Sequence, residues 1–256
     1  MLNVTQLEEY ANQILMAVEG EKEKITDMET GDIPETLKNI GTVELAKYID
    51  HTILKAQTTK DQIEKLCSEA KQYEFASVCV NSSYIDYARQ LLKSTPIKVC
   101  TVIGFPLGMC LTEVKSYEAK RAVELGAEEV DMVINIGRLK DRDYQYVAND
   151  IKAVVDETGG NAIVKVIIET GALTDFEKVM ACLLAKEAKA QFVKTSTGFG
   201  PGAATVRDVY LMKKAIGGNM RVKASSGIRT REAALRLIFA GAERLGTSAG
   251  IAIISG

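Results

Sequence analysis

QFVKTSTGFG, residues 191–200, joins a short run of strand formers to a turn rich in threonine, serine and glycine, with Lys194 inside the apolar stretch. MRVKASSGIR, residues 220–229, repeats the arrangement around Lys223. Six further strand-like runs precede and follow these two. They begin near Lys47 (KYIDHTI), Phe75 (FASVCV), Ile97 (IKVCTVIG), Glu128 (EEVDMVIN), Ala162 (AIVKVII) and Glu243 (ERLGTS).

Helical stretches separate the runs. Thr59 with Gln62 three residues on reads as a capping box, and Ile63, Leu66, Cys67 and Ala70 line one face of the helix it opens. Thr174 with Glu177 repeats the signal, ahead of Phe176, Val179, Met180, Leu183 and Leu184. LGAEEVDMV and AGAERLGTS place a glycine where a helix would end before the next strand. The repeat is that of serial βα units. Eight such units in 256 residues predict an α/β fold, a (β/α)8 TIM barrel, rather than an open doubly wound sheet. TILKAQTT, after the first strand, has no glycine, and GFGPGA at 198–203 lacks the G-x-G-x-x-G spacing of a dinucleotide site.

Residues 1–40 read as a separate N-terminal helical extension, with 41–256 as the barrel catalytic domain. Leu7, Tyr10, Ala11, Ile14 and Val18 recur at helical spacing, EGEKEK at 19–24 reads as a solvated face or turn, and GDIP at 31–34 as a turn.

With 46% hydrophobic and 26% charged residues the chain has enough apolar material for a sizeable core. A net charge of −2 gives no reason to expect nucleic acid or a membrane surface as partner. No apolar run approaches the roughly 20 residues of a membrane span. The acidic N-terminus has neither a secretory signal nor a transit-peptide pattern. Cys67, Cys79, Cys100, Cys110 and Cys182 are widely spaced without a C-x-x-C, and read as reduced thiols in a cytoplasmic protein. The single histidine, His51, argues against zinc hydrolases and most catalytic triads. Chemistry here falls to Lys, Asp, Glu, Cys or Tyr.

Catalytic groups of a barrel lie at the C-terminal ends of its strands and in the loops beyond. Those positions carry Asp50, Thr52, Cys79, Asn81, Asp131, Asn135, Lys165, Glu169, Lys194, Ser196, Thr197, Lys223, Thr247 and Ser248. One strand lysine alone reads as half of a buried ion pair. Lys165, Lys194 and Lys223 on three successive strands call for another reason, because burying an uncompensated ammonium costs several kcal/mol. Neighbouring cations and partial desolvation favour a neutral amine, and a neutral amine attacks carbonyls. Lys194, whose strand runs into TSTGFG, is the nucleophile candidate, with Lys223 as the cation beside it. Asp131, in the apolar VDMVI, is either a satisfied core aspartate or a proton shuttle. TSTGFGPG, SSGIR and GTSAG, after the sixth, seventh and eighth strands, together form the pattern of a phosphate site. Arg229 either joins it or makes a surface ion pair. Cys79 between two valines reads as a small buried hydrophobe. His51 faces away from Asp50 by strand alternation and reads as structural.

These segments resemble the deoxyribose-phosphate aldolase family. The resemblance runs through IDHTILK (49–55), SVCVN (77–81), TVIGFPLG (101–108), EVDMVINIG (129–137), VKVIIET (164–170), FVKTSTGFG (192–200), VKASSGIRT (222–230) and RLGTSAG (244–250), in that order. It implies a metal-independent, cofactor-free class I lyase. The expected reaction is reversible cleavage of 2-deoxy-D-ribose 5-phosphate to acetaldehyde and D-glyceraldehyde 3-phosphate through a lysine Schiff base. It also implies catalytic roles for Lys194 as Schiff-base lysine, Asp131 as proton relay and Lys223 as perturbing cation. Asp50, Thr52, Cys79 and Lys165 match pocket-lining positions. Thr197, Gly198, Ser226, Gly227, Gly246, Thr247 and Ser248 fall in or beside the phosphate loops. The family analogy favours a homodimer or homotetramer. Ser226 stands where the family often has glycine, and Ala249 where some members have serine.

Overall fold

The computed structural model describes residues 2–256. Its eight strands are β1 (Ile49–Thr52), β2 (Ser77–Val80), β3 (Lys98–Ile103), β4 (Glu129–Val133), β5 (Ile163–Ile167), β6 (Phe192–Lys194), β7 (Arg221–Ser225) and β8 (Ala242–Thr247). They pair parallel in chain order, and β8 pairs with β1 to close the barrel. All eight strand-like runs of the sequence fall on these strands. The (β/α)8 expectation therefore holds.

Each strand leads to a helix because parallel neighbours need a crossover. Both capping boxes form: the Thr59 N–H donates to Gln62 Oε1 at 3.0 Å, and Thr174 and Glu177 bond reciprocally at 2.8 and 3.3 Å. Gly126 and Gly241 sit just past two helix ends at φ 100° and 115°, a conformation open to glycine at little cost.

The N-terminal segment lies on the outer helical ring. Helix Val4–Glu19 buries Ala11, Ile14 and Val18 against helices Asp175–Glu187 and Val206–Ile216. Helix Lys22–Thr30 buries Ile25 and Met28 against Val206–Ile216 and Arg231–Phe239. The 19–24 run is not wholly solvated as expected. Glu21 accepts from the Tyr210 hydroxyl at 2.8 Å and from Lys214 at 3.0 Å, because helix Val206–Ile216 presents both donors to it. Arg236 closes the segment by donating to the Met28 and Gly31 carbonyls, each at 3.0 Å.

A buried ion pair holds the layer outside β3 and β4. Lys115 Nζ meets Asp150 Oδ2 at 2.5 Å and the Val133 carbonyl at 2.9 Å, and Thr112 donates to the other Asp150 oxygen at 2.9 Å. Neither charged side chain of the pair is exposed. Removing one partner strands the other charge in the interior, at a cost of about 3–5 kcal/mol. Lys115→Met is therefore expected to lower the unfolding free energy by about that amount in urea titration. Lys115→Met combined with Asp150→Leu is expected to recover much of the loss, since neither charge then remains. A double variant no more stable than the single would refute this account.

Candidate active site

Strand alternation turns a set of charged side chains into the barrel. Asp131 on β4 is their hub: its Oδ1 accepts from Lys165 at 2.8 Å, and its Oδ2 accepts from Lys194 at 2.8 Å and Lys223 at 2.7 Å. Asp50 on β1 meets Lys223 at 2.5 Å through Oδ2, and through Oδ1 accepts from Arg244 at 2.5 Å and Ser77 at 2.6 Å. Glu129 lies 2.6 Å from Lys165 and accepts from Arg244 at 3.1 and 3.2 Å. The lattice thus holds four cations (Lys165, Lys194, Lys223, Arg244) against three carboxylates (Asp50, Glu129, Asp131). Losing one proton brings it to neutrality.

Burial works against every one of these charges, and the partners reverse it. Lys165, Lys194 and Lys223 outweigh burial to hold the Asp131 carboxyl well below the ordinary carboxylate range. Lys223 and Arg244 do the same for Asp50. Asp131 and then Asp50 hold the Lys223 ammonium above its usual range despite burial, and Lys165 is raised likewise, chiefly by Asp131. Lys223 thus remains the standing cation. Lys194 has a single carboxylate partner, and it alone of the three lysines lines the open cavity.

That cavity, of about 620 Å³, opens at the C-terminal ends of the strands. Thr52, Thr197, Gly198, Ser226, Gly227, Gly246, Thr247 and Ser248 line it with Lys194, and Arg229 borders it without an ion pair among the described residues. Asp50, Cys79 and Lys165 do not, which corrects their expected pocket-lining places. Asp50 and Lys165 are drawn into the lattice, with no exposed surface. Cys79 packs into an apolar cluster with Cys100, Val102, Leu54 and Phe105, as its reading as a small buried hydrophobe predicts. Asp131 and Lys223 are also fully buried, within the wall of the barrel. His51 faces helix Lys60–Tyr73 and bonds Glu69 at 2.7 Å, away from the lattice.

The cavity turns are tied together by hydroxyls. Thr195 Oγ1 donates to the Ser225 carbonyl at 3.1 Å and accepts the Ser225 N–H at 3.0 Å. Thr247 Oγ1 donates to the Ile228 carbonyl at 2.8 Å and accepts the Ala249 N–H at 2.9 Å. Gly246 is buried, and a Cβ there would lie 3.0 Å from Lys223 Cε, so the glycine makes room for the lysine. Ser226 adopts φ 77°, the left-handed region that costs a non-glycine residue about 1–2 kcal/mol.

Sequence reading missed Glu129, Arg244 and Ser77. Glu129 precedes Asp131 by two residues and Arg244 precedes Gly246 by two, so period-two alternation alone would have placed them on the inner face. Among the described residues, one group could offer three ligand atoms to a metal: Cys79, Cys100 and Asp131, within 4.8 Å of one another. Both oxygens of Asp131 are already taken by ammonium groups, and the excess positive charge around it opposes a cation.

The fold and site define a barrel with a buried lysine–carboxylate lattice under a cavity lined by glycine- and hydroxyl-rich turns. A family model described as DeoC/LacD family aldolase matches residues 44–256. A deoxyribose-phosphate aldolase of Clostridium perfringens is 59% identical over 83% of this chain and 95% of its own. Deoxyribose-phosphate aldolase 1 of Bacillus licheniformis is 57% identical over 84% and 96%. Among solved structures, a Coccidioides immitis protein is 42% identical with a TM-score of 0.82 over 96% of each chain, reaching into the N-terminal helices. The tetrameric deoxyribose phosphate aldolase of Aeropyrum pernix is 31% identical with a TM-score of 0.80 over 86% and 93%. The chain belongs to the DeoC/LacD family of aldolases.

The lattice gives stability a defined pH window. The lowered carboxyls of Asp50 and Asp131 contribute fully above their unfolded value near 4, and their contribution is lost as pH falls through their lower folded values. The raised lysines contribute fully below about 10.4, and theirs is lost as pH rises through their folded values. Urea unfolding is expected to show a plateau between about pH 5 and 9 with losses on both sides. Asp50→Asn is expected to lower the plateau, because Lys223 and Arg244 lose a shared partner. An Asp50→Asn profile superimposable on the parent would count against the lattice.

Proposed function

We propose that the chain is a metal-independent class I aldolase that reversibly cleaves 2-deoxy-D-ribose 5-phosphate to acetaldehyde and D-glyceraldehyde 3-phosphate. The observation that carries this reading is the sharing of one carboxylate oxygen, Asp131 Oδ2, by Lys194 at 2.8 Å and Lys223 at 2.7 Å, with only Lys194 open to the cavity. The names of the relatives supply the sugar.

Lys194 Nζ, as the free amine, attacks the C1 aldehyde of the open-chain sugar. The carbinolamine loses water to give an iminium. The C3 hydroxyl gives up its proton as the C2–C3 bond breaks, and the bonding electrons pass into the iminium to form an enamine. Glyceraldehyde 3-phosphate leaves from the three-carbon side. Protonation of the enamine at C2 and hydrolysis release acetaldehyde and restore Lys194. Asp131, held charged by three ammonium groups, is a poor resting place for a proton. It therefore passes protons among Lys194, Lys223 and a water rather than keeping one. Lys223, held protonated by Asp131 and Asp50, supplies a fixed positive charge beside Lys194. The turns at Thr197–Gly198, Ser226–Gly227 and Gly246–Ser248 hold the phosphate.

The chain acts, on this reading, in the cytoplasm as a homodimer or homotetramer. No helix among the described residues is long and apolar enough to cross a membrane. Leu107, Met109, Leu111 and Tyr117, close together in the chain, are each about two-thirds exposed. We propose that a second copy covers these apolar side chains. Light scattering of a Leu111→Lys variant is expected to show a smaller mass than the parent, and an unchanged mass would remove these side chains from the interface.

Borohydride reduction in the presence of 2-deoxyribose 5-phosphate, followed by peptide mass spectrometry, tests the chemistry. An adduct on Lys194 is expected. Lys194→Met is expected to abolish turnover while phosphosugar binding survives, and a chelator is expected to leave the rate unchanged. An adduct on Lys223 or Lys165 would overturn the assignment of the nucleophile. Binding without any adduct would overturn the covalent mechanism.

A further inference from the structure

Glu169, in the loop after β5, is 3% exposed and takes φ 57°, ψ 66°, a left-handed conformation sparsely populated for residues other than glycine. Such a conformation persists where surrounding contacts over-determine it, and here the side-chain contacts lead to the neighbouring loop, while the Glu169 carbonyl accepts the Ala172 N–H at 2.9 Å. Glu169 Oε2 accepts from the Thr197 N–H at 3.2 Å and from its hydroxyl at 2.5 Å. The same hydroxyl oxygen accepts the N–H of Phe199 at 3.0 Å and of Gly200 at 3.2 Å. Of the N–H groups of residues 197–200, that of Gly198 alone is left without an acceptor among the described residues. The two loops also interlock through missing side chains. A Cβ at Gly200 would lie 2.7 Å from the Glu169 carboxyl carbon, and one at Gly171 would lie 1.8 Å from the Pro201 carbonyl oxygen. The Thr170 N–H donates across to the Thr195 carbonyl at 2.9 Å.

We propose that Glu169 is a positioning residue that fixes the Thr197–Gly200 turn and thereby sets the preference for a phosphorylated aldehyde over its unphosphorylated counterpart. The carboxylate touches neither the lysine lattice nor the cavity. Its effect passes through Thr197, whose hydroxyl is oriented as donor to Glu169 and as acceptor toward the two N–H groups beyond it. This orientation curls the turn and leaves the Gly198 N–H for an anion. Lys194 is held separately, by Asp131. Loss of Glu169 thus loosens the anion cradle and spares the amine. The inference rests on the proposed phosphosugar reading.

The experiment compares wild type, Glu169→Ala and Glu169→Gln on 2-deoxyribose 5-phosphate and on 2-deoxyribose. Glu169→Ala is expected to raise KM for the phosphorylated sugar by about tenfold or more, with kcat and the rate on unphosphorylated sugar within about threefold of wild type. Glu169→Gln keeps an oxygen that accepts from Thr197 and is expected to restore most of the preference. If Glu169→Ala does not fold, Glu169→Gly, which relaxes the left-handed backbone, takes its place with the same expected loss of preference. An equal loss on both sugars, or an unchanged KM for the phosphorylated one, overturns the proposal. Should wild type show neither turnover nor a Lys194 adduct, the proposed function itself fails. The role of Glu169 is then read from inorganic phosphate binding, which Glu169→Ala is expected to weaken and whose persistence at full strength would overturn it.

Discussion

A carboxylate inside a closed barrel stays charged only where cations meet it, and Asp131 is met by three. Lys165, Lys194 and Lys223 come from three successive strands, so the hub exists only when β4 through β7 are in register. Asp50 and Glu129 extend it to β1 and, through Arg244, to β8. The polar interior thus reports on the closure of the whole sheet. Well-packed apolar residues often match or exceed the stability of such an ion set, so stability is a weak reason for its presence. Its chemistry is a stronger one. The lattice sets four cations against three carboxylates, and only one of its lysines meets the cavity.

The division of labour among the three lysines follows from their burial. Lys165 is anchored by Glu129 and Asp131, and Lys223 by Asp50 and Asp131, each with no exposed surface. Lys194 has one anchor and one open side. A nucleophile needs both: an anchor to aim it, and access to the carbonyl. Around the open side, hydroxyl groups tie the turns together, through Thr195 and Ser225, Thr197 and the Glu169 carboxylate, and Thr247 and the Ile228 carbonyl.

Much of this was legible in the residues. The eight strands, both capping boxes, the lysine trio and the outward-facing His51 followed from periodicity and local hydrogen-bond chemistry, which depend on a few neighbouring residues. The cavity positions at the turns followed as well, because a barrel delivers its loops to one end. Legibility failed where two distant strands had to be known together. Asp50 and Lys165 have the chemistry of substrate-binding groups. Whether they reach the cavity or turn to each other's neighbours depends on which strand stands alongside. Glu129 and Arg244 were overlooked although their alternation was readable, since a charge on a strand is usually taken for a solvent-facing one. The docking of Glu21 onto Tyr210 and Lys214 joins residues far apart in the chain, and nothing local signals it.

The sequence by itself determined a (β/α)8 barrel, because alternating strand and helix periods with caps between them admit few other architectures at this length. It also pointed to lysines and an aspartate on the inner face of successive strands, because period-two alternation sets them there. Which lysine stays anchored, which one meets the cavity, and how Glu169 in a left-handed turn grips its neighbour were decided only by tertiary structure. Those outcomes depend on register, burial and backbone conformation, and each is set by residues that come together only when the barrel closes.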